Sequence, residues 1–180
     1  MASHTEQHDL PLPHFDAPVR LMAVVAPYYR AIADDLLSGV RAVAEAAGAQ
    51  LDVVEVPGAL EIPTAIALAA RAGRHDGFVA LGCVGRGETT HYDTVCSDSS
   101  RGLTLLGLQG ICIGNGILTV ENMAQAERRA DPAGMDKGGA AAAAALHLVA
   151  LARRWQSAPG RAVPHDVIRL AGELDGQGRA

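Results

Sequence analysis

Gly82-Cys83-Val84-Gly85-Arg86-Gly87-Glu88-Thr89-Thr90-His91-Tyr92-Asp93 decides how this chain of 180 residues is read. It follows an apolar run, Gly77 to Leu81, of the kind buried on both faces of a parallel sheet. It precedes Tyr92, Val95, Cys96, Leu103 and Leu106, which recur at helical spacing. A strand, a glycine-rich turn and a helix start, in that order, present backbone N–H groups to an anion. Thr89 and Thr90 add hydroxyls and an N-cap option, and His91 puts a proton-moving ring in the first turn. Arg86 or a more remote arginine would supply the counter-charge. Glycines beside a helix start serve turn geometry as often as chemistry, so a phosphate cradle and a bare turn stand here as equal readings. A lone histidine at such a place is, on its own, more often a packed or capping side chain.

Outward from that stretch the same alternation repeats. Val19 to Ala26 reads as a strand ended by Pro27, with Tyr28 and Tyr29 at its carboxyl end. Ile32, Leu36, Val40, Val43 and Ala47 form a core-facing helical stripe that Gly48 stops. Leu51 to Val56 is a second strand, and Pro57-Gly58 turns the chain into an apolar helix, Ala59 to Ala72. Pro63 is tolerated only in a first turn, which fixes that helix start near Ile62. Glu61 either caps this helix as an anion or holds a ligand. Phe78 to Leu81 is the third strand and Gly110 to Ile117 the fourth, followed by a helix from Thr119 to Ala130. A loop, Asp131 to Asp136, leads past Lys137 to a last helix, Gly139 to Trp155. Its alanine run, Ala140 to Ala145, favours helix and lets neighbours approach closely. Arg128, Arg129, Arg153 and Arg154 fall at helix ends, where the dipole alone explains them. Four strand–helix alternations specify an α/β fold with an open parallel sheet covered on both faces. Ligands of such sheets sit beyond the carboxyl ends of the strands. Tyr28, Ala59 to Glu61, Cys83 to His91 and Gly114 to Gly116 each follow a strand in this reading, which crowds them onto one edge.

Composition limits the alternatives. The net charge of −5 and the lack of a basic stripe exclude a nucleic-acid surface. No apolar run is long enough to span a membrane, and Met1 to Arg20 lacks a secretory apolar centre. Cys83, Cys96 and Cys112 read as reduced, buried thiols in a cytoplasm, with no disulfide frame or zinc pair. Three domains of behaviour follow: a flexible arm at 1–17, one folded domain at 18–157, and a tail at 158–180. Val163 to Leu174 in that tail reads equally as a short helix or as disorder. His4, His8 and His14 lie in the arm beside Glu6 and Asp9, where nothing holds them in a metal-binding geometry.

Four segments together resemble the lumazine synthase family of riboflavin biosynthesis. They are VPGALEIP (Val56 to Pro63), ALGCVGRGETTHYD (Ala80 to Asp93), IGNGILTVEN (Ile113 to Asn122) and DKGG (Asp136 to Gly139). Their order and spacing are kept from about Val19 to Trp155. The resemblance implies a three-layer sandwich around a four-stranded parallel flavodoxin-like sheet. It implies a transferase that condenses 5-amino-6-ribitylaminouracil with 3,4-dihydroxy-2-butanone 4-phosphate, without cofactor or metal. On that resemblance Tyr28 stacks on the pyrimidine, Ala59, Leu60 and Glu61 hold the ribityl chain, and Cys83, Val84 and Gly85 border the pyrimidine edge. Gly87, Glu88 and Thr89 would cradle the phosphate, His91 would transfer protons, and Arg129 and Lys137 would bind phosphate and pyrimidine. The family forms homopentamers with shared sites, so Asn115, Arg129 and Lys137 would come from the neighbouring subunit. Riboflavin synthase is the partner the resemblance suggests. Departures are Tyr28 where phenylalanine or tryptophan is usual, Gly85 and Cys83 for isoleucine and threonine, and Asn115 for an aromatic residue.

Overall fold

A computed structural model describes residues 10–157. The elements are β1 (Arg20–Val25), α1 (Arg30–Ala46), β2 (Gln50–Glu55), α2 (Glu61–Arg71), β3 (Gly77–Gly85), α3 (His91–Leu108), β4 (Ile113–Val120), α4 (Met123–Ala130) and α5 (Lys137–Ser157). The strands form one parallel sheet in the order β2-β1-β3-β4. That is the flavodoxin-like α/β order, in which the chain winds outward from β1 in one direction and then in the other. The switch point therefore lies between the carboxyl ends of β1 and β3.

Alternation along the strands builds two cores. Leu21, Ala23, Val25, Val79, Leu81, Leu118 and Val120 face α1, α4 and α5. Val24, Phe78 and Ala80 face Ile62 and Ile66 of α2 and Val95 and Leu103 of α3. The result is the expected three-layer sandwich. On the first face the helices come very close. A Cβ on Gly138 would run into the Leu36 carbonyl, and one on Gly114 into the Ala141 carbonyl. The glycine of α5 is thus required by its packing on α1.

Several boundaries differ from the sequence reading; the last helix starts at Lys137 itself and not at Gly139, and at the ends of β3 and β4 long-range pairing overrides a local signal. β3 does not end at Leu81: Gly82 to Gly85 are strand residues paired with Ile117 to Val120. The ladder continues through the Arg86 N–H to the Val120 carbonyl at 2.9 Å. β4 begins at Ile113 and runs three residues beyond Ile117, which places Asn115 opposite Ala80 in mid-strand. Asn115 is therefore on an edge strand, not at the carboxyl rim with the other three clusters. The fourth helix starts after Asn122, whose Oδ1 accepts the Gln125 N–H at 3.1 Å. Arg153 serves a tertiary contact as well as a helix end. It donates to the Ala17 and Pro18 carbonyls and to Asp76 at 3.0, 2.7 and 3.0 Å. Phe15 packs on the core beneath it, so the end of the arm is docked. The proposed tail helix and most of the arm lie outside the described residues.

Candidate active site

A cleft of about 560 Å³ opens at the switch point. One wall is Tyr28 and Tyr29 after β1, another is Ala59, Leu60 and Glu61 at the start of α2. The third is the end of β3 with the loop beyond it: Cys83, Val84, Gly85, Gly87, Thr89 and His91. Tyr28 is 77% exposed, so one ring face is free to stack on a planar ligand. Glu61 opens α2, and the absence of a side chain on Gly58 leaves room for its carboxylate. That carboxylate has no hydrogen-bond partner among the described residues and can accept from ligand hydroxyls.

The loop from Gly87 to Thr90 carries the anion-binding geometry. None of its four N–H groups finds a partner among the described residues, and they stand at the amino end of the 18-residue α3. Unpaired N–H groups and the helix dipole both favour an anion there. Thr90 has helical angles and makes no side-chain cap; Thr89 Oγ1 instead lies 3.4 Å from the His91 N–H. Glu88 is on this loop but its side chain does not line the cleft.

Arg86 does not turn its charge towards that cradle. Its Nε donates to Glu121 at 2.7 Å and its Nη1 to Asp93 at 3.4 Å, and the guanidinium lies 4.1 Å from the Tyr92 ring centroid. Two carboxylates thus neutralise it, and it ties the loop to α3 and to the segment before α4. Of the two sources of counter-charge considered from the sequence, the remote one is left.

Arg129, Lys137 and Asn115 line a second cleft of about 390 Å³, which shares no residue with the first. The side chains of Arg129 and Lys137 have no hydrogen bond or ion pair among the described residues. Lys137 is set by its predecessor: Asp136 takes a left-handed φ of 39° and its Oδ1 accepts the Gly139 N–H at 2.9 Å. A single chain therefore brings together Tyr28, Glu61, Gly85, Thr89 and His91, and holds Arg129, Lys137 and Asn115 apart from them. The sequence reading missed Tyr29, Tyr92 and Val95 in the first cleft and Thr119 in the second. Helical spacing marked Tyr92 and Val95 as core positions only, and nothing local distinguished Tyr29 from its neighbour.

Burial pushes the Cys83 thiol up to about 11, so it is a neutral wall at physiological pH and no nucleophile. What remains can hold a flat heterocycle, a polyhydroxyl chain and a phosphate, and can move protons at His91.

Comparison with known proteins agrees with that inventory. The family model for 6,7-dimethyl-8-ribityllumazine synthase matches residues 18–153. A 6,7-dimethyl-8-ribityllumazine synthase of Jannaschia sp. (strain CCS1) is 52% identical over 183 aligned positions, covering 100% of both chains. One from Methylobacterium radiotolerans is 51% identical over 164 positions, covering 89% of this chain and 100% of that protein. One from Novosphingobium aromaticivorans is 52% identical over 136 positions, covering 76% of this chain and 98% of that protein. With the motifs, the sheet order and these matches in agreement, the chain belongs to the 6,7-dimethyl-8-ribityllumazine synthase family.

Proposed function

We propose that this chain condenses 5-amino-6-(D-ribitylamino)uracil with 3,4-dihydroxy-2-butanone 4-phosphate to give 6,7-dimethyl-8-ribityllumazine, phosphate and water. The amine attacks the ketone and water leaves as the imine forms. Phosphate is then eliminated, and the ribitylamino nitrogen closes the ring with loss of a second water. Phosphate is already a good leaving group, so the protein's task is to hold two substrates, neutralise a dianion and move protons. Fixing two reactants in attack geometry can lower a barrier by ~7–11 kcal/mol. One positioned acid/base typically adds about 10²–10⁴-fold. Tyr28 stacks on the pyrimidine, whose edge meets Cys83, Val84 and Gly85. Ala59, Leu60 and Glu61 hold the ribityl chain. Gly87, Glu88 and Thr89 bind the phosphate, and His91 transfers the protons.

The observation that carries this reading is the set of unpaired N–H groups at the α3 start, where Gly87 and Thr89 line, together with His91, the cleft that Tyr28 borders. Mixing the purified protein with both substrates and following lumazine absorbance beside phosphate release tests it. The two signals should rise together, faster than the uncatalysed condensation; a rate no faster than that background refutes the reading.

Arg129, Lys137 and Asn115 complete the site from a neighbouring subunit of a homopentamer, or of a multiple of one. Two features support this. Arg129 and Lys137 are unpaired cations in a cleft separate from His91. Large apolar side chains stay exposed on α3 and α5, among them Leu108, Leu148 and Trp155. The three free cysteines suit a reducing cytoplasm. Riboflavin synthase, which would consume the product, is the partner proposed. Light scattering gives the assembly mass, and a monomer at micromolar concentration would contradict the shared site.

A further inference from the structure

We propose that Tyr29 is a substrate-binding, specificity-determining residue: it braces the stacking ring of Tyr28 and closes the wall that Gly85 leaves open. This rests on the proposed function and names a contact beyond it. Gly85 ends β3 without a side chain. A Cβ built there would lie 3.3 Å from Tyr29 Oη and 3.9 Å from its Cζ. The phenol end of Tyr29 therefore covers the strand end from outside, in the place where a side chain of residue 85 would begin. The same ring meets Tyr28 edge-on, with centroids 5.0 Å apart and planes at 75°. Edge-to-face contact favours one orientation of the exposed ring over others. One side chain thus spans the stacking surface and the backbone that borders the pyrimidine. Its hydroxyl has no hydrogen-bond partner among the described residues, and Tyr29 is half-buried in the wall of the cleft. A phenol O–H so placed donates to an acceptor on the edge of a bound heterocycle, such as a uracil carbonyl. The ligand chemistry selected is a planar ring with an acceptor at its rim; the ketone phosphate has acceptors but no ring to pack against the Tyr28–Tyr29 pair.

The test separates the two substrates. KM for the ribitylaminouracil and for the ketone phosphate are measured in the wild type, Tyr29→Phe, Tyr29→Ala, Gly85→Ala and the Gly85→Ala/Tyr29→Phe double variant. Thermal melting of each checks that it is folded. Loss of one neutral hydrogen bond corresponds to roughly threefold to tenfold in affinity. Tyr29→Phe should raise the uracil KM by about that factor and leave the ketone phosphate KM within about twofold. Tyr29→Ala, which also frees Tyr28, should be worse. Gly85→Ala alone should raise the uracil KM by displacing Oη from 3.3 Å, and the double variant should be no worse than Tyr29→Phe, because the nearest ring atom is then at 3.9 Å. Unchanged uracil KM in Tyr29→Phe, equal rises in both KM values, or additive effects in the double variant overturn the proposal. A wild type without turnover sinks the catalytic reading instead. Tyr29 is then judged by fluorescence titration with 6,7-dimethyl-8-ribityllumazine, where Tyr29→Phe must weaken binding by the same factor or the proposal fails.

Discussion

The substitution of glycine by alanine should have opposite signs in two helices of this protein, and the contrast tests how α5 is seated. In Gly107→Ala the new methyl meets nothing within 4 Å, and the residue is the last but one of α3. Within one chain only backbone propensity acts there, and at this last turn it supplies part of the about 0.8–1 kcal/mol by which alanine is favoured over glycine in a helix interior. Gly138 is the second residue of α5, where the propensity gain is likewise only partial. Its Cβ would overlap the Leu36 carbonyl oxygen and stand 2.7 Å from that carbonyl carbon and 2.9 Å from the Leu36 Cα. These are backbone atoms of a packed helix, so no rotamer can yield; α5 must move off α1. Overpacking of this kind typically costs about 1–3 kcal/mol and more where backbone is struck, which outweighs the propensity gain. For a domain of this size each kcal/mol moves the melting point by roughly 2–4 °C. Gly138→Ala should therefore melt several degrees below the wild type and Gly107→Ala slightly above it, read by circular dichroism at one protein concentration. Because Lys137 directly precedes the displaced residue, Gly138→Ala should also raise the KM for the uracil substrate. A Gly138→Ala protein as stable as the wild type would refute the close α1–α5 seating.

Arg86→Ala and Arg129→Ala should separate the two arginines by function. Arg86 is already neutralised by Glu121 and Asp93, in pairs that are 41%, 57% and 61% exposed and so screened by salt, and its loss should change the ketone phosphate KM only a few-fold. Arg129→Ala should raise it by about 10–100-fold, the range for a charged hydrogen bond; the reverse order would exchange their roles. His91→Ala should lower kcat by at most about 10²–10⁴-fold and leave measurable turnover, whereas complete loss would mean that His91 does more than move protons. Alkylation of Cys83 at pH 8 should be slow in the folded protein and fast once unfolded, since burial holds the thiol up to about 11. The same shift removes stability as pH rises from the ordinary thiol range towards that value, and a stability flat in that window would contradict it. The hydrogen bond from His75 holds the Asp52 carboxyl below its ordinary value. That contribution is present above the ordinary carboxylate range and is lost as pH falls through the lowered value, so Asp52→Asn should flatten the acid limb of stability.

The layers of this fold were legible because its central strands β1 and β3 are apolar runs and α1 carries a clear stripe. Strand ends were not. Gly82 and Gly85 read as a turn, since glycine is locally disfavoured in strands, but β4 supplies a ladder as far as Val120 and that pairing prevails. The same lengthening moved Asn115 from the rim to mid-strand. Within the site, Thr89 and His91 were legible because a helix start follows a strand there. The engagement of Arg86 was not, since Glu121 lies 35 residues away in sequence. Tyr29 was passed over because its partner is an absent side chain, which only the path of β3 reveals.

The central claim is that one catalytic site draws on two chains, and subunit mixing tests it most directly. His91→Ala and Arg129→Ala chains are co-expressed with different tags, oligomers carrying both are isolated, and all are assayed at a ketone phosphate concentration well below the wild-type KM, where each parent alone is nearly inactive. If His91 and Arg129 of each site come from neighbouring subunits, random assembly leaves about a quarter of the sites with both side chains intact. Activity should then rise to about that fraction of the wild type. Mixed oligomers no more active than the two parents would place both residues in one chain's site and contradict the account.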